Sequence, residues 1–235
     1  GLGRDGGDDQ RREALEDDYD LIIWDNRGSG DSDAPDGPYT VPEMASDLEA
    51  VLEDAGVESA HIVGASMGGM ITQQYALDYD RAKTISLLCT TPGGPEEEPI
   101  PEDTLERMFG VPDGYDERES IRYKMEPAMT DEFWEANDDL IEDIVGWRLE
   151  MDADDQPREW QAAGVELFDV SDRLDELTLP TLIMHGERDR VVPIGNGELL
   201  AEGIPDTTFE TFDEGGSHLF LIERADDVSE QIRSF

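Results

Sequence analysis

One serine has the surroundings of an enzymatic nucleophile. Ser66 lies in the run Gly64-Ala65-Ser66-Met67-Gly68, which follows a short apolar stretch and precedes a helical pattern. A Gly-x-Ser-x-Gly run on a strand-to-helix turn strains the backbone of the serine and projects its hydroxyl from the sheet edge. Gly64 and Gly68 are expected to be glycines because any side chain there would collide with the tight turn. The Met67 amide, at the positive end of the following helix, is expected to donate to a developing oxyanion.

A serine hydroxyl is a poor nucleophile, so it needs a base, and the base needs an orienting carboxylate. The sequence has three histidines. His61 opens the strand before the serine, where a surface or structural role is expected. His185 ends a later strand, where it is a candidate for the pocket wall. His218 lies in a glycine-containing loop after the last predicted strand, and we therefore interpret it as the base.

Three carboxylates are candidates for the orienting group. Asp189 lies in the loop after the strand that ends at His185, while Glu187 and Asp213 are rivals close by in the sequence. In so acidic a chain most carboxylates are expected only to cover the surface. Position along the chain must therefore decide, and the order serine, acid, histidine favours an acid that follows the strand.

Short apolar runs alternate with helical patterns in the segments that must position these residues. This rhythm predicts a parallel sheet with crossover helices. The predicted strands are 21–24, 60–63, 84–89, 179–185 and 207–212, and the predicted helices are 9–17, 41–55, 194–203, 219–235 and the helix after Ser66.

From Glu102 to Leu177 only helical patterns occur, and they predict an inserted helical lid. Its aromatic and methionine side chains are expected to line a mostly apolar substrate pocket, although each of them could instead hold the lid together. These side chains are Trp134, Trp147, Trp160, Met125 and Met129.

Over its whole length the chain resembles the α/β-hydrolase superfamily, and in particular its lidded serine esterases and enol-lactone hydrolases. The motifs that carry the resemblance are the run 64–69, the Asp-x-Arg-Gly-x-Gly loop at 25–30, Gly186-x-x-Asp189 and Gly216-x-His218. The resemblance implies an α/β fold with a mostly parallel sheet and an inserted lid over 96–177. Residues 1–95 and 178–235 would then form the core.

The resemblance further implies a catalytic triad of Ser66, Asp189 and His218, with the amides of Leu2 and Met67 as the oxyanion hole. The family has three more strands before the oxyanion loop, and the sequence looks like a form that lacks them. The third of these strands would lie between the predicted strands 21–24 and 60–63. Without it, unpaired backbone groups would remain in the middle of the sheet.

These residues predict a serine hydrolase that cleaves a carboxylic ester or lactone through an acyl-enzyme, without metal or organic cofactor. Carbon–carbon bond hydrolysis and perhydrolysis use the same triad, and a ligand-binding relative without turnover is an alternative of another class. Neutral esters are preferred over an anion such as 3-oxoadipate enol-lactone. Basic side chains of the lid that would suit that anion are Arg107, Arg122, Lys124 and Arg148.

The 235 residues carry a formal charge of −43, from 60 acidic and 17 basic side chains. Only Lys83 and Lys124 are lysines, and such lysine-poor acidic compositions resemble proteins of salt-accumulating halophiles. This charge makes nucleic acid and anionic membranes poor partners, so a small-molecule substrate is expected. Cys89 is the only cysteine, so no internal disulfide is expected. No signal peptide or transmembrane run is visible, and a cytoplasmic location is expected.

Overall fold

The computed structural model describes residues 15–16 and 18–235. Four parallel strands form a sheet in the order β1-β2-β3-β4. All six residues of β3 are buried, as expected for a central strand that is covered on both faces. The predicted parallel α/β sheet is therefore confirmed. Its strands are β1 (Ala60–Ala65), β2 (Ala82–Leu88), β3 (Thr181–Gly186) and β4 (Thr207–Phe212).

Helices cover both faces of this sheet. Successive side chains of a strand point to opposite faces, so Ile183 joins one apolar cluster while Leu182 and Met184 join another. The first cluster includes α1 (Val41–Asp54), α2 (Met67–Asp78) and α8 (Gly195–Gly203). The second cluster includes α9 (Phe220–Glu223) and α10 (Ala225–Ser234).

Between β2 and β3 the chain makes a helical insertion. Its helices are α3 (Glu102–Phe109), α4 (Glu117–Met125), α5 (Asp131–Ala136), α6 (Asp138–Met151) and α7 (Asp155–Glu166). Short 3₁₀ turns follow α4 and α7, over Glu126–Ala128 and Ser171–Glu176. The insertion has its own buried cluster, which we call the insertion core: Ile121, Met125, Met129, Ile141, Ile144 and Val145.

Two loops at the sheet edge hold the insertion. At one end, the Gly30 amide donates to the Met151 carbonyl over 3.0 Å, and Gln161 donates to the Arg27 carbonyl over 2.9 Å. At the other end, the Leu219 amide donates to the Ala128 carbonyl over 2.8 Å. The insertion therefore extends from the loop at 25–39 to the loop that carries His218.

Residues 21–24, predicted as a strand, are not one. They have no ladder partner among the described residues, and Leu21 and Ile22 are 39% and 37% exposed. Apolar sequence favours extended backbone, but a strand requires a neighbour to pair with, and β1 is the edge strand of the described sheet.

The C-terminal helical segment also differs from the prediction of one helix over 219–235. It is divided into α9 and α10 at Arg224, whose backbone has φ −127° and ψ 39°. The Arg224 side chain donates to the Glu214 carbonyl over 2.6 Å, which ties this break to the loop before His218. The predicted helix at 9–17 lies almost entirely outside the described residues. In the part of the chain that is described, no helix combines the length and apolarity needed to cross a bilayer.

Candidate active site

Ser66 occupies the turn between β1 and α2 with φ 53° and ψ −122°. A non-glycine residue in this region is strained and keeps the conformation only where its surroundings enforce it. The end of β2 does so here. The Ser66 amide donates to the Leu88 carbonyl over 2.9 Å, and the Thr90 hydroxyl donates to the Ser66 carbonyl over 2.8 Å. The serine is half-buried, at the carboxyl edge of the sheet.

Of the two glycines predicted to avoid a collision beside Ser66, the structure requires Gly64 but not Gly68. A methyl group on Gly64 would overlap the Gly68 carbonyl and the Thr72 hydroxyl, so the close approach of β1 and α2 requires glycine there. A methyl group on Gly68 meets no described atom, so the expected collision at this position is wrong. Gly69 is the second tight position, because a side chain there would overlap Thr90.

Asp189 lies just beyond β3, and its side chain is fully buried. Its Oδ1 accepts hydrogen bonds from the Val191 and Val192 amides, each over 2.8 Å. Its Oδ2 accepts from His218 Nδ1, also over 2.8 Å. Burial pushes the pKa of this carboxyl upward, but the charge of His218 and the hydrogen bonds from His185 and His218 together lower the pKa to about 2. The carboxylate is thus ionised across the physiological range.

His218 lies in the loop after β4 and is 7% exposed. Because Nδ1 donates to Asp189, the neutral ring carries its proton there and leaves Nε2 as the acceptor. Ser66, Asp189 and His218 follow β1, β3 and β4, so parallel pairing brings all three to one edge. Among the described residues the Ser66 hydroxyl makes no hydrogen bond. The direct contact among these three side chains is therefore the one between Asp189 and His218. Serine–base bonds are often long before substrate binds.

The rival carboxylates lie elsewhere. Glu187 accepts from the Thr211 hydroxyl over 2.8 Å and is exposed. Asp213 is exposed and lies 3.9 Å from Arg188. His61 is also exposed, and its Nδ1 lies 2.8 Å from the Thr84 hydroxyl. None of these side chains contacts His218 within the described structure, and Asp189 does.

His185 has a role that the sequence reasoning missed. It is fully buried, so its expected place in the pocket wall is wrong. Its Nε2 lies 2.8 Å from the Val192 carbonyl and 3.5 Å from Asp189 Oδ2, while its Nδ1 has no partner among the described atoms. A second histidine thus lies beside the Asp189 carboxylate. Its place at the end of β3, four residues before Asp189, was the available signal.

Of the two predicted oxyanion donors, only Met67 lies in the described part. It is the first residue of α2, where the backbone amide has no acceptor inside the helix. Leu2 lies outside the described residues.

The predicted pocket residues all lie in the insertion. Met125 and Met129 are buried in the insertion core, and Trp134 and Trp147 pack against it. Trp160 instead lies edge-on to Tyr39, with ring centroids 5.3 Å apart. Leu219, next to His218, also packs against the insertion core. The insertion core therefore contacts the residue next to His218. Its contribution to a substrate pocket remains a prediction. Within the described residues, no group of three or more His, Cys, Asp or Glu side chains could hold a metal ion.

Comparisons with known proteins agree with this architecture. The model of a family described as alpha/beta hydrolase fold matches residues 3–225. The chain is 28% identical to the poly(3-hydroxyalkanoate) depolymerase of Ectopseudomonas oleovorans, over 95% of this chain and 77% of that protein. It is 26% identical to 3-oxoadipate enol-lactonase 2 of Acinetobacter baylyi, over 89% and 76%. The crystal structure of a hydrolase from Pseudomonas aeruginosa superposes with a TM-score of 0.82 at 25% identity, over 96% and 83%.

Proposed function

The chain belongs to the α/β-hydrolase family, and from that premise we propose that it is a serine hydrolase that cleaves a carboxylic ester or lactone. One observation carries the proposal: the buried 2.8 Å hydrogen bond from His218 Nδ1 to Asp189. This bond holds the imidazole in the tautomer that can accept a proton at Nε2. The nucleophile is the hydroxyl of Ser66, a residue with a strained backbone at the same sheet edge.

In the first half of the reaction, the Ser66 hydroxyl attacks the carbonyl carbon and its proton passes to Nε2 of His218. The carbonyl oxygen becomes an oxyanion, which accepts a hydrogen bond from the Met67 amide. Asp189, which accepts hydrogen bonds from the Val191 and Val192 amides and from His218, stabilises the imidazolium that forms. The oxyanion then collapses, the alkoxide leaves with the proton from Nε2, and an acyl-enzyme remains.

Water completes the reaction. His218 takes a proton from water, and the hydroxide oxygen attacks the acyl carbon. The second tetrahedral intermediate expels the Ser66 oxygen, which recovers its proton from Nε2. The products are a carboxylic acid and an alcohol, or one hydroxy acid from a lactone. Each step uses the same three side chains, so no cofactor is needed.

We further propose that the insertion acts as a lid over Ser66. It is attached to the loop at 25–39 and to Leu219, the residue after His218. Closing the sheet edge at Ser66 would exclude water and strengthen the hydrogen bonds that act on the oxyanion. The side chains that would face the acyl group belong to the insertion core and to the tryptophans packed on it.

The charges of the insertion favour a neutral substrate. Arg107 pairs with Glu126 and lies over the Tyr123 ring, and Arg148 lies 2.7 Å from Asp152. Arg122 lies 2.6 Å from Glu142 and 2.5 Å from Asp138. Three of the four basic side chains that would suit an anionic lactone are therefore engaged by carboxylates. A neutral ester or lactone is the better fit, although one of the named relatives is an enol-lactonase.

The nucleophile is testable without knowing the substrate. We expect a fluorophosphonate probe to attach to Ser66, as located by peptide mass spectrometry, because only this serine is expected to be activated. Ser66→Ala should abolish labelling. Ser46→Ala, which changes an exposed serine on α1, should leave it unchanged.

A panel of nitrophenyl esters, neutral lactones and an anionic enol-lactone then identifies the class of bond. Labelling at another serine, or none in protein with a cooperative melting transition, would refute the serine-hydrolase proposal. If ligands of this panel nevertheless raised the melting temperature, a binding protein without turnover would be the better interpretation. If the protein turned over only a substrate that is cleaved at a carbon–carbon bond, it would be a carbon–carbon bond hydrolase.

A further inference from the structure

Glu223, the last residue of α9, accepts hydrogen bonds from two separate parts of the molecule. Its Oε1 accepts from the Thr130 amide and from the Ser217 hydroxyl, each over 2.8 Å. Its Oε2 accepts from the Thr130 hydroxyl over 3.0 Å. Three donors thus converge on one half-buried carboxylate.

The two parts that Glu223 joins are the base loop and the insertion. Ser217 immediately precedes His218, and its oxygen also accepts from the Leu219 amide over 3.2 Å. Thr130 caps α5 of the insertion through a 3.3 Å bond from the Phe133 amide. The carboxylate therefore connects the residue before the base to the first turn of an insertion helix.

Two further contacts reinforce the same connection. The Leu219 amide also donates to the Ala128 carbonyl over 2.8 Å, two residues before Thr130. Leu219 and Ile222 both pack against the insertion core. Residues on either side of His218 are therefore attached to the insertion, by the Glu223 carboxylate on one side and by backbone and apolar contacts on the other.

The Glu223 carboxylate is held by neutral hydrogen-bond donors. In the described part, no arginine or lysine forms an ion pair with it, and hydrogen-bond donors alone surround its oxygens. Most acidic residues of a chain with a charge of −43 add to its self-repulsion, so removing one should relieve repulsion. At Glu223 a change to glutamine would instead weaken these hydrogen bonds, because the amide is neutral, and would leave one donor facing an NH₂ group in place of its acceptor.

We infer that Glu223 is a positioning residue that fastens the His218 loop to the insertion, so that the place of the base depends on a closed insertion. This inference rests on the proposed hydrolase function for its catalytic consequence. Its structural part, the coupling of residues 217–219 to residues 128–130, is independent of any reaction. The two parts call for separate measurements.

The test uses Glu223→Gln, with Glu230→Gln as the matched control. Glu230 is an exposed glutamate on α10, so both variants remove one negative charge from neighbouring helices. We expect Glu223→Gln to lower kcat for the best ester about 10- to 100-fold with KM changed less than threefold, because small displacements of a catalytic group cost this much. Glu230→Gln should leave both constants unchanged. Ser217→Ala, which removes only one of the three donors, should give an intermediate loss in kcat.

Hydrogen exchange measured by mass spectrometry tests the coupling directly. In Glu223→Gln, amides of both segments, 128–130 and 217–219, should exchange faster, and in Glu230→Gln neither should. Faster exchange in one segment only, or a lowered melting temperature with unchanged kcat, would overturn the inference. If wild type lacks turnover and Ser66 labelling, the hydrolase proposal fails, while paired acceleration of exchange would still support the connection. If Glu223→Gln does not fold, Ser217→Ala carries both measurements.

Discussion

Replacing Asp189 by asparagine gives a sharp test of the proposed site, because its neighbours fix how the new side chain must sit. The Val191 and Val192 amides both donate to Oδ1, so the amide oxygen of asparagine must take that position. The amide NH₂ then replaces Oδ2, where it faces His218 Nδ1 at 2.8 Å in the wild type. Two donors cannot share this contact, so His218 must move its proton from Nδ1 to Nε2.

That change removes the acceptor that the Ser66 proton needs. A histidine protonated at Nε2 cannot act as the base, and the neutral amide cannot stabilise an imidazolium. The corresponding change in a Ser-His-Asp protease lowers kcat about 10⁴-fold. This loss equals about 5 kcal/mol in the barrier at about 1.4 kcal/mol per factor of ten. The side-chain volume hardly changes, so we expect KM to change little.

The assay is ester turnover under saturating substrate, together with the rate of fluorophosphonate labelling at Ser66. Asp213→Asn and Glu187→Gln are matched controls that remove one charge each from exposed carboxylates near the same loops. Both controls should keep kcat within a few-fold of wild type. The reasoning is refuted if Asp189→Asn retains more than about a tenth of wild-type turnover, or if Asp213→Asn loses more than Asp189→Asn does.

Two further measurements test other parts of the interpretation. Gly64→Ala should lower the free energy of unfolding by about 1–3 kcal/mol, because the new methyl group would overlap Gly68 and Thr72. Gly68→Ala should leave the free energy of unfolding unchanged or raise it by up to about 1 kcal/mol. Urea unfolding of both variants measures these changes, and equal losses would contradict the interpretation. The melting temperature should increase when KCl is raised from about 0.1 M to about 1 M, because the Debye length falls from about 10 Å to about 3 Å and the repulsion between the acidic side chains is screened. A melting temperature that stays constant or falls would remove the argument for a salt-adapted surface.

The sequence was most informative where one local pattern decides the structure. The run of threonines and phenylalanines at 207–212 forms a strand with the predicted ends, and the Gly-x-Ser-x-Gly run lies on the predicted strand-to-helix turn. Asp189 and His218 were singled out through their place after strand ends, and the structure joins their side chains by a hydrogen bond. In each case a local pattern indicates the position, and contacts from distant segments then complete the geometry.

Interactions between distant segments were harder to predict. The run 21–24 has strand-like composition, but it finds no ladder partner in the described structure, and composition alone does not supply one. The break at Arg224 depends on a hydrogen bond to Glu214, ten residues away. The contacts of His185 and Glu223 are made with residues that folding brings to them, and the sequence reasoning foresaw neither set of contacts. The collision expected at Gly68 does not occur, because no described atom lies within 4 Å of the position that a side chain would take there.

Because the Ser66 backbone is strained, selection for folding stability and selection for the proposed activity act on this position in opposite directions. With φ at 53°, the position would suit glycine better than serine, and strain of this sort typically costs about 1–3 kcal/mol. Folding alone therefore favours mutation to glycine, whereas the proposed role of Ser66 as the nucleophile favours keeping the hydroxyl. A lineage that stopped using the reaction would gain stability by losing this serine. The side chain at position 66 therefore records, in each descendant, whether the activity is still under selection.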